Sequence, residues 1–436
     1  MSAVPAPVVV YTAGLVLPVT GPAIPHGAVA VRGDRILHVG ESAWVLSALT
    51  DQGIEFTEEF WPGVLTPGLV NAHTHLQYTH MAQVATLHYN GFDDWGDSFD
   101  VAYDSGDHDW AAAAAEGAAL SLAAGVTAAA DVVTDTEAAS ALHDANMHGI
   151  TYWEVYGKSN QDWTIEARNE VLEQVRKLPT PPGAGVSPHA PYSLDVKPLL
   201  DIPDLVREQG MRLHIHLAEA HMEREREVGG DEWPALGADS FRALRLRGIG
   251  VSSVQYVDHL GVLGPDCHIA HGVYVNAKDR ALLRARGTSV ALCVRSNEII
   301  GLDMPPVADY LREGSPIAVG TDSLSSVTTL DPMDDLALLY KVARRQGYQE
   351  ADLHERLFAA ATLGGATALG LNVGKERIGQ LVVGALADLA FFDIPVTTPP
   401  DTLADLVEGG GGRVARTIIS GIERYRRAEQ NETETV

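Results

Sequence analysis

Between residues 64 and 320, short apolar runs alternate with longer stretches rich in Ala, Leu, Glu and Arg. The runs fall at 64–71, 126–133, 150–156, 185–188, 211–217, 267–271, 289–293 and 317–320. Short apolar runs of this kind read as strands buried on both faces, and stretches such as 109–124, 165–177 and 353–371 suit the helices that cover them. Eight such runs are what a (β/α)8 TIM barrel requires.

The two ends follow a different pattern. Residues 8–64 carry short β-rich runs broken by Gly and Pro, among them Val8-Val9-Val10-Tyr11, Ala28-Val29-Ala30-Val31 and Arg35-Ile36-Leu37-His38. The same texture returns after residue 381, in Ala387-Asp388-Leu389-Ala390-Phe391-Phe392 and in 413–419, with a turn at Gly421. The fold expected is therefore α/β: a TIM barrel over 64–380 and a small, antiparallel β-sandwich assembled from 1–63 and 381–428. Residues 429–436 form an acidic tail. No internal repeat of fixed period occurs.

Composition narrows the class. With 436 residues, 46% of them hydrophobic, the chain can bury a large core. Cys267 and Cys293 stand far apart, with no second cysteine nearby to make a zinc ribbon or redox pair. A net charge of -27, without clustered Lys or Arg, argues against nucleic acid as a partner. No apolar segment is long enough to span a membrane, and the N-terminus lacks a basic stretch before its apolar run, so a cytoplasmic protein acting on a small molecule is expected.

Candidate chemistry clusters where the apolar runs end, the face on which this fold collects catalytic groups. The first run closes in Pro67-Gly68-Leu69-Val70-Asn71-Ala72-His73-Thr74-His75. Residues two apart on a strand point the same way, so His73 and His75 can offer imidazoles to one metal ion. The fifth run ends in His214-Ile215-His216-Leu217-Ala218-Glu219. His216 lies nearer the strand end and is the expected ligand, Glu219 the proton carrier, and His214 an inward-facing support. The eighth ends in Gly320-Thr321-Asp322-Ser323. A lone Asp there would serve as a helix cap, but beside three neutral histidines Asp322 supplies an anionic fourth ligand and a proton acceptor. His271 and His189 close the sixth and fourth runs and are further functional candidates.

These motifs, with Ser187-Pro188-His189-Ala190-Pro191-Tyr192, His271-Gly272, Ser296-Asn297 and Gly384-Ala385-Leu386-Ala387-Asp388-Leu389, resemble the amidohydrolase superfamily. The resemblance runs over nearly the whole chain. It is nearest to the deaminase and chlorohydrolase branch that includes S-adenosylhomocysteine and methylthioadenosine deaminases. It implies that His73, His75, His216 and Asp322 hold one divalent ion per chain, zinc in the first place, with Fe2+ or another divalent metal admissible. Glu219, His271 and Asp322 would be catalytic, and His189 would contact substrate; a homodimer is the family expectation. The fourth run holds no lysine to bridge two metals, which favours a mononuclear site. Gln77, Tyr78, His80 and the loop containing Trp95 are candidates for shaping the pocket.

Trp153-Glu154-Val155-Tyr156-Gly157 and Arg295-Ser296-Asn297 resemble the aminodeoxyfutalosine deaminases of menaquinone biosynthesis. Arg295 would then pair with the carboxylate of that purine nucleoside, or else serve in a structural ion pair. The function expected is hydrolytic deamination of an aminated heterocycle with release of ammonia. The alternatives are dechlorination or other hydrolysis of a triazine-like ring and, more remotely, a metal-binding protein without catalysis.

Overall fold

The computed structural model describes residues 6–224, 240–246 and 248–428. The chain opens with strands β1 (Val8–Val16), β2 (Ile24–Arg32), β3 (Arg35–Glu41) and β4 (Phe56–Pro67), the helix Ser42–Asp51 lying before the last. Eight barrel strands follow: β5 (Leu69–Thr74), β6 (Val126–Val133), β7 (His148–Val155), β8 (Gly183–Pro188), β9 (Arg212–Leu217), β10 (Cys267–His271), β11 (Ser289–Leu292) and β12 (Ile317–Val319). Strands β13 (Leu389–Phe392), β14 (Val414–Ile419) and β15 (Ile422–Arg426) complete the chain.

Strands β5 to β12 form one sheet in chain order, every neighbouring pair parallel. Parallel neighbours need crossovers, and helices such as Trp110–Ala123, Ile165–Lys177, Val196–Glu208 and Ala277–Arg286 supply them. The sheet nearly closes: across the seam between β5 and β12, Asp322 N donates to His73 O (3.0 Å) and Thr321 N to Asn71 Oδ1 (3.1 Å). Gly320 permits that approach, since a Cβ there would lie 2.8 Å from both His73 Cβ and Cys293 Sγ. The main hydrophobic core lies between strands and outer helices, where Leu69, Val126, Val186, Leu213, Ile269 and Val290 meet residues such as Leu199 and Leu283. Thus the barrel and its helices are the TIM architecture expected.

The run read as one strand at 64–71 belongs to two. Phe56–Pro67 pairs with β1 and β13 in the terminal sheet, and the barrel begins only after Gly68. The terminal sheet has the order β15-β14-β13-β4-β1-β2-β3 and joins both chain ends, as the sequence pattern predicts. It is mixed rather than purely antiparallel, because the helix Ser42–Asp51 lets β4 return parallel to β1. The sheet curls around a core of Tyr11, Val29, Ile36, Leu65, Phe391 and Ile418. Its extremes meet where Gly421, at φ +74°, packs on the Gly33 carbonyl; an added Cβ would lie 1.9 Å from that oxygen.

The last part also contains a helix, Pro399–Gly409, started by Thr398 as cap and proline in its first turn. Its Leu403, Leu406 and Val407 join the barrel core. No helix among the described residues is long and apolar enough to cross a membrane.

Candidate metal and catalytic site

Each histidine of the first motif is placed by the end of β5. His73 is the fifth of that strand's six residues, and His75 follows its last, so strand parity turns both rings inward, with centroids 5.0 Å apart. His216, near the end of β9, completes the group: its Nε2 lies 3.2 Å from His75 Nε2, and one nitrogen each of His73, His75 and His216 fall within 4.8 Å of one another. Asp322 Oδ1 stands 3.6 Å from His73 Nε2 and 3.8 Å from His75 Nε2. Asp322 and His271 hold left-handed backbone, at φ +67° and +74°, which few non-glycine residues adopt. Local strain therefore aims both side chains at the barrel axis.

The chemistry of this cage fits a divalent cation. Both ring nitrogens of His73 are buried without a hydrogen-bond partner, which a protein seldom tolerates unless something else satisfies them. His75 Nε2 and His216 Nε2, 3.2 Å apart, face each other as two lone pairs when each ring donates through Nδ1, an arrangement an ion between them resolves. Burial lowers the basicity of His73 and His216 and takes His75 down to about 3, so the imidazoles are neutral, as ligation requires. Burial raises the Asp322 pKa, but the polar surroundings, chiefly His73 with its Nε2 3.6 Å away, outweigh that and hold it below the usual carboxylate range. Ser296 Oγ (2.7 Å) and Ser326 Oγ (3.1 Å) donate to its Oδ2. The remaining nitrogens are fixed from behind: His75 Nδ1 donates to Val132 O (3.1 Å) and His216 Nδ1 to His189 O (3.1 Å).

Comparison with known proteins bears on the same barrel. The amidohydrolase family model matches residues 64–423. The chain belongs to the amidohydrolase family. This amidohydrolase is similar to the 5-methylthioadenosine/S-adenosylhomocysteine deaminase of Halobacterium salinarum, 30% identical over 377 residues that cover 82% of this chain and 80% of that one. Its fold is similar to that of Helicobacter pylori aminofutalosine deaminase in complex with methylthio-coformycin (TM-score 0.78, 19% identity, 95% and 99% of the two chains). It is equally similar to zinc-complexed atrazine chlorohydrolase from Arthrobacter aurescens TC1 (TM-score 0.78, 17% identity, 95% and 94%). The amidohydrolase is thus a hydrolase acting on C–N bonds.

Beside the cage of this amidohydrolase stand an acid and an imidazole. Glu219 is 4% exposed, and burial raises its carboxyl pKa, with the charge of Asp322 adding to the effect. Its Oε2 accepts from Tyr192 Oη (2.8 Å), and its Oε1 lies 3.4 Å from His271 Nε2. The loop carrying it is pinned by Glu223, whose carboxylate accepts from the N–H groups of Ala218 (2.8 Å), Glu219 (2.7 Å) and Ala220 (2.9 Å).

His189 also reaches the site, its ring 4.8 Å from that of His216 and edge-on to Tyr156 and Tyr192. His214 stacks under His73 at 4.8 Å and bonds Ser187 Oγ (3.1 Å), the supporting place expected of it. Two expected substrate contacts are corrected. Arg295 points away from the cage into the helix Pro332–Arg345, where Nε (2.9 Å) and Nη2 (2.7 Å) meet Asp335 Oδ2; Nη1 donates to Thr329 Oγ1 (2.7 Å). Gln77 is fully buried, accepting from Thr134 N (2.9 Å) and donating to Thr134 Oγ1 (2.7 Å) and Asp135 Oδ2 (3.1 Å), so it braces a loop rather than facing a pocket.

Several residues at the site were not singled out by role from the sequence. Glu154, at the end of β7, lies 3.6 Å from His216 Nδ1 and 3.4 Å from Ser187 Oγ, with its pKa raised to about 8 by burial. Its position at a strand's carboxyl end was the available signal. Ser326, Tyr192 and Glu223 sit on turns, where no periodicity announces direction.

Proposed function

We propose that this amidohydrolase is a zinc-dependent deaminase of an adenine nucleoside, of the methylthioadenosine type, which replaces the exocyclic amine by oxygen and releases ammonia. The observation that carries the reading is the pairing of buried Glu219, whose carboxyl pKa burial raises, with His271 at the edge of a cage of three neutral histidines and one carboxylate. The similarity to the Halobacterium deaminase supports the substrate class.

His73, His75, His216 and Asp322 would hold one ion, which when bound supplies a Lewis acid able to acidify water near neutral pH. Asp322, the anion of the cage, accepts the proton of the attacking water. Glu219 donates the proton on its carboxyl to the ring nitrogen beside the amine-bearing carbon, making that carbon electrophilic. His271 Nε2 orients the water against the same carbon and steadies the charge that develops there. The proton gathered by Asp322 passes to the departing amine, and the hydroxyl proton left on the adduct returns to Glu219, so water and the aminated ring yield the oxo ring and ammonia with both carboxyl groups restored. His189 and the Tyr156 and Tyr192 rings beside it are placed to contact the nucleoside.

Aminodeoxyfutalosine, a substrate of menaquinone biosynthesis, loses the support drawn from Arg295, because that guanidinium is already bonded to Asp335 and Thr329. Ammonia release from methylthioadenosine, S-adenosylhomocysteine, adenosine, aminodeoxyfutalosine and a chlorinated triazine tests the reading. Turnover of the adenine nucleosides, with methylthioadenosine ahead of aminodeoxyfutalosine, is expected. Chloride release from the triazine without ammonia from any nucleoside would overturn it.

A further inference from the structure

Two adjacent residues on the short helix Val294–Ile300 hold the two bases of the site. Ser296 Oγ donates to Asp322 Oδ2 (2.7 Å), and Asn297 Oδ1 faces His271 Nδ1 at 3.2 Å, with Ser296, Asn297 and His271 all fully buried. The Asn297 backbone is fixed on both sides, its N donating to Cys293 O (3.1 Å) and its O accepting from Leu302 N (2.8 Å). A carbonyl oxygen can only accept, so the contact with Nδ1 is a hydrogen bond only when that nitrogen carries the proton. A neutral imidazole has a single N–H; placing it on Nδ1 leaves a lone pair on Nε2. That Nε2 is buried, has no hydrogen-bond partner and lies 3.4 Å from Glu219 Oε1.

We infer that Asn297 is a positioning residue that locks His271 in its Nδ1–H tautomer, with the Nε2 lone pair directed at Glu219 and the cage. In its catalytic consequence, the inference rests on the roles proposed for Glu219 and His271. With Nε2 as acceptor, His271 takes a hydrogen bond from the attacking water or from the Glu219 carboxyl. With the opposite tautomer, Nε2–H would donate to Glu219, favour its carboxylate and withhold the proton the ring nitrogen needs. The tautomer therefore decides whether Glu219 can act as an acid.

Nitrogen-15 spectra of the zinc-loaded, histidine-labelled protein test this, the His271 signals being assigned by their loss in H271Q. A pyrrole-type Nδ1 and a pyridine-type Nε2 are expected; the reverse pair overturns the inference, whatever substrate the enzyme proves to use. Asn297→Asp keeps an acceptor at the same place, and Asn297→Leu removes it. The Asp variant is expected to keep the tautomer and to retain kcat within about tenfold. The Leu variant is expected to lose the Nδ1–H signature and on the order of 100-fold in kcat, with KM nearly unchanged. An Asp variant as slow as the Leu variant, or a Leu variant at full rate, contradicts the assignment.

Discussion

At the scale of single residues, the division of labour between ligand and acid is open to direct measurement. Glu219 touches Tyr192 and His271 but none of the ring nitrogens that face one another in the cage, whereas His216 Nε2 lies inside it. Glu219→Gln should therefore keep its metal and lose on the order of 100-fold or more in kcat, and His216→Ala should lose metal and activity together. Metal analysis beside kinetics reads both, and equal metal loss in the two variants would contradict the assignment. A second expectation concerns pH. His268 lies fully buried inside the barrel with Nε2 2.9 Å from Ala72 O, and burial takes its pKa down to about 3. The unfolded chain takes up that proton below about pH 6.5 while the folded chain does not. The stability His268 contributes is thus present above that value and is lost as pH falls toward 3, at up to about 1.4 kcal/mol per pH unit. His268→Gln should flatten the fall in the denaturant midpoint between about pH 7 and about pH 5; an unchanged slope would show that His268 is not held neutral.

Among the elements, the barrel strands were legible because burial on both faces makes them continuous apolar runs, and the metal residues because they sit where those runs stop. Legibility failed where direction depends on packing. Arg295 lies three residues past the end of β11, where a site residue could stand, yet the helix Val294–Ile300 turns it outward onto Asp335. Gln77 follows His75 by two, but the chain has by then left the strand for the turn Leu76–Met81, and strand parity no longer applies. The helix Phe92–Asp104 was likewise hidden: its apolar face is only half covered, with Phe92 on Tyr192 (5.2 Å) and Trp95 Nε1 donating to Ser325 O (3.1 Å) over the strand ends. For Arg295 the structure gives a clear expectation. Asp335 is fully buried, so Arg295→Met strands its carboxylate and should cost about 3–5 kcal/mol of stability. The kcat/KM ratio between carboxylate-bearing and neutral nucleosides should stay as it was. A selective loss of the carboxylate-bearing substrate, without loss of stability, would return Arg295 to the pocket.

For the whole molecule, only Gly68 separates β4 of the terminal sheet from β5 of the barrel, and the helix Pro399–Gly409 buries Leu406 in the barrel core. The two parts are therefore expected to unfold together. Gly421→Val forces a side chain into left-handed backbone against the Gly33 carbonyl and should cost about 2 kcal/mol or more. Sheet and barrel should still melt in one transition, followed by near- and far-ultraviolet circular dichroism; a separate early transition would mark them as independent units. The sequence pattern told which chain ends combine, but not that the sheet would be mixed, since the parallel return of β4 depends on how the helix Ser42–Asp51 packs on Val8, Val10, Ala28 and Ala30.

The most direct test joins the cage to the chemistry. The chelator-stripped enzyme is titrated with zinc while ammonia release from methylthioadenosine is followed. The account predicts no release without metal and a rise that saturates at one zinc per chain. Ammonia release that persists in the stripped enzyme, or a plateau reached only at two zinc ions per chain, would contradict it.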